Sequence, residues 1–426
     1  MSGDVGETVT RQFHVYDNNG NDVTSLCTFT LDRELECLEI DKVNKLFISD
    51  GQGNVRTYLR VITASLNELT TTATISVTIQ QSHDYSQDYL TFEALESGTF
   101  TLTIPAEIDT TYMTSISYST DNGSTWTTTQ VDATAQTITT PTIAQGGKVL
   151  WKGEGSALAK GYNNYSRFTS TGNFNASGNI MSLLYGDNFV NQTELASGSS
   201  YNFAYLFRGG LISAANLILP ATTLANYCYS NMFYNCTSLT TAPELPATTL
   251  AGYCYYQMFY GCTSLTTAPT LPATTLSESC YQHMFSGCTS LTTAPTLPAT
   301  TLASGCYSNM FSDCTSLTTA PTLPATTLAN SCYQSMFQGC TSLRTAPELP
   351  ATTLANYCYG NMFYGCRTLN YIKMLATSIS ATDCLKNWVT NVAANGVFTK
   401  AASMTALPEG SSGIPANWTV LNELAY

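Results

Sequence analysis

The hexapeptide Leu-Pro-Ala-Thr-Thr-Leu begins at Leu219, Leu245, Leu271, Leu297, Leu323 and Leu349, a strict period of 26 residues. A fixed period between about 20 and 50 residues is the mark of a solenoid, where each unit buries its apolar face only by stacking on its neighbours. The period therefore constrains the fold more than any other feature of the chain, and 219–374 is read as six such units.

Within the unit Leu219–Glu244, Leu224, Cys228, Met232 and Cys236 recur every four residues, with Ala225, Tyr229 and Phe233 alongside. This spacing predicts a helix with one apolar face. Positions 226, 227, 230, 231, 234 and 235 are then left to face water, and these are where the copies differ. Position 231 runs Asn231, Gln257, His283, Asn309, Ser335, Asn361, and position 234 runs Tyr234, Tyr260, Ser286, Ser312, Gln338, Tyr364. Leu239, Ala242 and Leu245 are expected to point inward, with Thr240-Thr241 as a short parallel strand ended by Pro243, which has no N–H to donate. Each coil is thus expected to give one strand and one helix, and Cys236, Cys262, Cys288, Cys314, Cys340 and Cys366 an interior ladder.

Composition bounds the partners. The chain of 426 residues carries Lys+Arg 16 against Asp+Glu 29, a net charge of -13. Nucleic acid and anionic membrane both call for clustered Lys and Arg, so neither is expected as a partner. Of the 15 cysteines, thirteen recur with the repeat from Cys228 to Cys384. Small, apolar and stacked, they are expected to be reduced and buried rather than paired in disulfides. The first residues have neither the basic nor the apolar region of a secretory signal, and no apolar run reaches the ~20 residues that span a bilayer. A chain complete as it stands would then fold in the cytosol, without membrane insertion.

Residues 1–84 read as short alternating strands, Thr8–Tyr16, Val23–Leu31, Cys37–Ile40, Lys45–Ile48, Val55–Ile62 and Ala73–Ile79, with turns at Asn18-Asn19-Gly20, near Asp50–Gly53 and near Asn67. Their number and spacing point to an immunoglobulin-like β-sandwich. The stretch Asp17–Asp22 has the look of a calcium loop but lacks the later Glu, and reads as a turn. A second small β-domain is expected over 85–155, with Asp121-Asn122-Gly123 as a hairpin turn and Trp126 and Trp151 in its core. Counting back one period from Phe233 and Pro246 reaches Phe207 and Pro220, so 156–218 is read as an N-terminal cap with a degenerate repeat. The segment 375–426, with Trp388 and Trp418, is read as the C-terminal cap.

No catalytic constellation emerges. Zinc needs four ligands, whereas the cysteine spacing is Cys-x7-Cys and the histidines are only His14, His83 and His283. A catalytic thiol needs a histidine nearby, which only Cys280 and Cys288 have, in His283. The other five units place Asn, Gln or Ser there, so His283 reads as a surface substitution. Glu154, Asp187 and Glu194 lie in an aromatic-rich segment and are the acids that glycoside hydrolysis would use, but solvated loop carboxylates are the plainer reading. No catalytic residue, metal ligand or cofactor site is therefore assigned.

Phe-x-x-Cys-x-x-Leu recurs six times in register, followed each time by the proline-containing turn, and in this the segment 200–390 resembles the BspA-like leucine-rich repeats found in gut Bacteroidales and their crAss-like tailed phages. Ser177–Asp187 and Gly413–Val420 resemble the caps of the same family. The resemblance implies a surface-displayed adhesion or recognition protein, without enzymatic activity. With immunoglobulin-like units leading an α/β leucine-rich-repeat solenoid, and no export signal in view, the expected role is a virion structural protein: a phage head or tail fibre or decoration protein. Its N-terminal domains would contact other virion proteins, and its repeats a host-surface glycan or protein. Fibres of this class also imply a homo-trimer, although no heptad segment here points to one. A bacterial cell-surface adhesin is the alternative, and a polysaccharide-active enzyme the third reading. Two ligand surfaces are expected. One is the Thr face, Thr240, Thr266, Thr292 and Thr318, broken by Arg344, which the strand propensity of threonine also explains. The other is the outer tyrosines, among them Tyr234, Tyr260 and Tyr364.

Overall fold

The computed structural model of the chain describes residues 88–195, 200–405 and 407–423 throughout and, before residue 88, the strands alone. Two compact units result, Met1–Asp84 and Tyr85–Tyr426. In the first, β1 (Ser2–Asp4), β7 (Leu69–Gln80), β6 (Arg56–Leu66) and β3 (Thr28–Leu31) form one sheet in that order, and β2 (Val9–Gln12), β5 (Lys45–Ile48) and β4 (Leu38–Asp41) a second. All pairings are antiparallel except β1 with β7, and β6 and β7 are in register out to Leu66 opposite Leu69. The turns at Asn18-Asn19-Gly20, near Asp50–Gly53 and near Asn67 and the Asp17–Asp22 loop lie outside the described residues.

In the second unit β8 (Leu90–Ala94), β9 (Phe100–Ile104), β10 (Met113–Ser119), β11 (Thr127–Gln130), β12 (Gln136–Thr139) and β13 (Lys148–Gly155) are the strands that precede residue 156. Asn122 and Gly123 both take positive φ, 55° and 83°, in the loop that returns β10 to β11, as hairpin turns require. The boundary expected near Gly155 is crossed by a sheet. The order β11-β10-β13-β8-β15-β16 carries it on through β15 (Phe174–Asn179) to β16 (Leu211–Ile218), which opens the repeat array. A smaller sheet, β12-β9-β14, adds β14 (Arg167–Ser170). One core of Phe92, Phe100, Trp151, Phe168, Phe174 and Phe207 serves both sides of residue 155. Trp126, expected in that core, is instead half-buried at the surface beneath the Lys152 ammonium, 4.2 Å from its ring.

The helix expected in every repeat is absent, and this is the main correction to the α/β reading. Among the described residues the one α-helix is the four-residue α1, Ser182–Tyr185. Residues 225–236 are instead a run of turns. The N–H groups of Cys228, Ser230, Met232, Tyr234 and Cys236 each donate to the carbonyl three residues back, while those of Tyr227, Tyr229, Asn231, Phe233 and Asn235 donate across to the next coil, at Gly252, Cys254, Tyr256, Met258 and Tyr260. In an α-helix every N–H would be spent within the segment, four residues back, and none would be left to join coils. Here half of them do.

The backbone pays for this with one left-handed residue every fourth position. Tyr227, Asn231 and Asn235 have φ of 57°, 58° and 55°. The corresponding residues of each later coil, down to Asp383, Asn387 and Asn391, are also positive, as are Tyr201, Tyr205 and Gly209 before them. The third column reads Gly209, Asn235, Gly261, Gly287, Asp313, Gly339, Gly365, Asn391, the residue types that tolerate this conformation at least cost. Because the turns step by four residues, Cys228, Met232 and Cys236 all face inward, as do Tyr229 and Phe233, so the apolar pattern that suggested a helix is kept with a different backbone. The expected water-facing set is only partly so. Positions 226, 227, 234 and 235 reach solvent, whereas Ser230 and Asn231 are fully buried.

The remaining arc holds the stack by single parallel bridges rather than strands, Thr241 to Thr267 to Thr293 to Thr319 on one side, and Thr223 to Thr249 and Thr275 to Thr301 on another. Leu239, Leu245 and Ala247 are buried with Pro243, and Ala242 is half-buried. The positive-φ columns number eight coils from Tyr201 to Asn391, so the degenerate repeat and the start of the C-terminal segment share the backbone of the six clear copies. The end is closed by a parallel sheet, β17 (Tyr371–Met374), β18 (Val397–Ala401) and β19 (Thr419–Glu423). Trp418 lies over Gly396, where a Cβ would come 2.7 Å from the indole, and its N–H donates to the Ala393 carbonyl at 2.8 Å. Trp388, fully buried, donates likewise to Gly413.

Candidate functional site: the faces of the stacked coils

Stacking by 26 residues turns each inward position into a column. The phenylalanines Phe207, Phe233, Phe259, Phe285, Phe311, Phe337 and Phe363 stack at 5.2–5.8 Å with rings within 10° of parallel. The cysteines form two more columns, all thirteen from Cys228 to Cys384 free and buried. Cys236, Cys262, Cys288, Cys314, Cys340 and Cys366 each turn the thiol toward the carbonyl of a phenylalanine one coil back, Cys262 to Phe233 at 3.1 Å and Cys366 to Phe337 at 2.9 Å. Burial pushes the Cys236, Cys288 and Cys366 thiols up to about 12, and Cys280 is raised by burial and by its neighbours Cys254 and Cys306. A nucleophilic thiol needs the opposite shift, so the cysteines beside His283 are packing groups. No cluster of three or more metal-binding side chains occurs among the described residues.

Asp187 is equally occupied. Asp187 Oδ1 accepts from Lys152 Nζ at 2.6 Å and from the Tyr89 hydroxyl at 2.7 Å, and these two hydrogen bonds hold its carboxyl below the ordinary range. A general acid for glycoside cleavage must be raised instead. Glu194 is joined to Thr223 through its backbone, in a parallel bridge, and Glu154 to Tyr185.

What remains for recognition is the outer surface. Thr240, Thr266, Thr292 and Thr318 are exposed in one line, as are Thr241, Thr267, Thr293 and Thr319 beside them, and Arg344 follows in the next coil. Sequence reasoning passed over a second line of the same kind, the Thr-Thr of the hexapeptide itself: Thr222 and Thr223, Thr248 and Thr249, Thr274 and Thr275, and so on to Thr353, also exposed. Its strict repetition was the available signal.

The tyrosines are arranged with more specificity. Tyr201, Tyr227 and Tyr253 stack at 4.5 and 4.8 Å, and Tyr234 stacks on Tyr260 at 5.0 Å. Tyr162, from the cap, is 40% exposed and sets its ring nearly perpendicular to those of Tyr201, Tyr205, Tyr227 and Tyr256. Tyr165 stacks on Tyr205 at 4.3 Å, with the Arg167 guanidinium over its ring. Burial within this group raises the Tyr205 hydroxyl to about 12. The sequence pointed to Tyr234 and Tyr260 but not to Tyr162, whose place in the group depends on how the cap folds back. Tyr364 stands apart at the far end, 38% exposed.

Stacked 26-residue coils with a leucine, phenylalanine and cysteine interior define the class of leucine-rich-repeat proteins. The family model described as BspA type leucine rich repeat region matches residues 201–318 and 253–387 in six copies, and the chain carries repeats of that type. Its first matched residue, Tyr201, is also the first residue of the positive-φ columns. Searches of curated proteins and of solved structures returned no match.

Proposed function

We propose that this chain is a non-enzymatic adhesion protein, borne on the outside of a tailed-phage virion as a fibre or decoration protein, with the first unit as its mount and the repeat solenoid as its contact surface. The BspA-type repeats carry this reading, since such repeats suggest a surface or adhesion role. The interior supports it, since buried thiols with raised pKa values leave the coils a scaffold for a displayed face, and the exposed Asp187 before them is held ionised. The two sheets of the first unit are in keeping with an immunoglobulin-like mount, and its virion neighbours would be other structural proteins. A net charge of -13 turns the chain away from nucleic acid. Among the described residues no helix is long and apolar enough to cross a membrane.

Immunogold labelling with an antibody to the repeats tests the reading. Label on the exterior of purified particles is the expected result. Label on the envelope of uninfected bacteria, with bare particles, would replace it by the bacterial adhesin. Turnover of a polysaccharide by the purified chain, lost on Asp187→Asn, would overturn the non-enzymatic part.

A further inference from the structure

The two outer tyrosine columns stop at the same coil. Tyr253 is followed one period on by Ser279, and Tyr260 by Ser286, both serines buried at 6% and 5% exposure. Each of these last rings has an aromatic stacked on one face, Tyr227 or Tyr234, while the column continues beyond the other face with a small side chain. Tyr256, between the columns, is likewise followed by Gln282. The coil boundary is therefore a step, walled by Tyr253, Tyr256 and Tyr260 and rising one ring above the serines.

His283 stands in that step. Its ring meets Tyr256 at 6.2 Å and Tyr260 at 6.3 Å, steeply inclined to both. It takes a φ of 56°, as the residue at this position does in every coil, and its Nδ1 is buried without a hydrogen-bond partner in the chain. An unpaired buried nitrogen at the foot of this step is a group that a ligand hydroxyl can satisfy. Burial lowers His283 below its ordinary value, so near neutral pH the imidazole offers an acceptor as well as a donor. Close by, the Glu278 carboxylate accepts from the Tyr253 hydroxyl at 3.4 Å.

We propose that this step, Tyr253, Tyr256, Tyr260 and His283 over Ser279 and Ser286, binds one pyranose unit of a neutral glycan. A pyranose is about the size of a phenol ring, and its C–H face is attracted to the negative face of an aromatic, so it extends a column where the chain has dropped a ring. Its hydroxyls find His283 and Glu278. Glu278 is the single charged side chain between Leu245 and Thr296. With no lysine or arginine there, an acidic sugar has no counter-charge, and an apolar peptide would leave the polar rim unpaired. The assignment rests on the adhesion reading and gives it a ligand class and an address.

The test is an array of neutral, sialylated and sulfated glycans probed with the full chain, followed by titration of the best ligand. Tyr260→Ser and His283→Asn each install the residue that another coil has at the same place, so the fold tolerates them. Tyr260→Ser is expected to weaken binding at least tenfold and His283→Asn several-fold, while Asn330→Ser, two coils away, leaves it unchanged. Undiminished binding in the first two variants would overturn the site. Binding confined to acidic glycans, or to a host protein, would overturn the ligand class. If particles carry the chain outside and adhere to cells while the array stays blank, the glycan proposal fails and the adhesion reading stands. Failure to adhere to any surface would remove both.

Discussion

The inner and outer tyrosine columns are built from the same residue with the same parallel stacking, yet they follow opposite rules. Tyr229, Tyr255, Tyr281, Tyr307, Tyr333 and Tyr359 run unbroken through six coils at 5.7–6.1 Å, closed at the ends by Phe203 and Trp388. All six are 2% exposed or less. The outer column, Tyr201, Tyr227 and Tyr253, stacks more closely and ends in serine. Inside, a missing ring would leave a void that neighbours cannot fill, so every coil must supply one. Outside, water fills the gap at little cost, and an interruption is free to serve a purpose.

The strongest way to break the interior is to ionise it. Folded thiols raised by burial keep their protons above the ordinary value of 9.0 at which unfolded thiols lose theirs. The unfolded state then binds fewer protons, so stability falls as pH rises past about 9, by about 1.4 kcal/mol per pH unit for each thiol until the folded group also titrates. Thirteen buried cysteines make that slope steep. Far-UV circular dichroism should show cooperative loss of structure between about pH 9 and 11, shifted upward when Cys262 and Cys288 are replaced by alanine. A signal unchanged to pH 11 would show that the thiols are not buried in solution.

A smaller effect compares the columns directly. Tyr281→Ser removes an inner ring and should cost about 3–5 kcal/mol, as large-to-small core changes do. The same change at Tyr260 should cost less than about 1 kcal/mol. Denaturant titrations of the two variants measure the contrast, and equal costs would mean that the outer stack is as structural as the inner one.

How much of this was open to reading before the structure follows from the same contrast. The period, the inward Leu, Cys, Met and Phe, the exposed threonines and the ends of the array were legible, because each is a statement about which side chains avoid water. The helix was misread because Leu224, Cys228, Met232 and Cys236 satisfy a step of four as well as one of 3.6 over so short a run. The correcting signal stood in the column Gly209, Asn235, Gly261, Gly287, Asp313, Gly339, Gly365, Asn391, which no helix interior favours and a left-handed turn residue does. The tyrosine cluster was legible only in part. Tyr234 and Tyr260 share a column in the sequence, but nothing local brings Tyr162 to them, and the unpaired nitrogen of His283 belongs to tertiary structure.

Gly287 gives a small effect and the sharpest discrimination, because the two backbones predict opposite signs. It sits at φ 75°, and a Cβ built there would lie 3.5 Å or more from the nearest atoms of the neighbouring coil, so space does not decide the outcome. In a helix, Gly287→Ala would stabilise by about 1 kcal/mol through lost unfolded-state freedom and better propensity. In a left-handed turn the added methyl crowds the following carbonyl and costs about 1–2 kcal/mol. Gly287→Asn should fall between Gly and Ala, since Asn235 and Asn391 hold the same place with φ of 55° and 59°. Midpoints of denaturant unfolding ordered Gly, Asn, Ala support the turn backbone, and with it the N–H groups that tie one coil to the next. Ala above Gly would restore the helix and leave the coils joined by side chains alone.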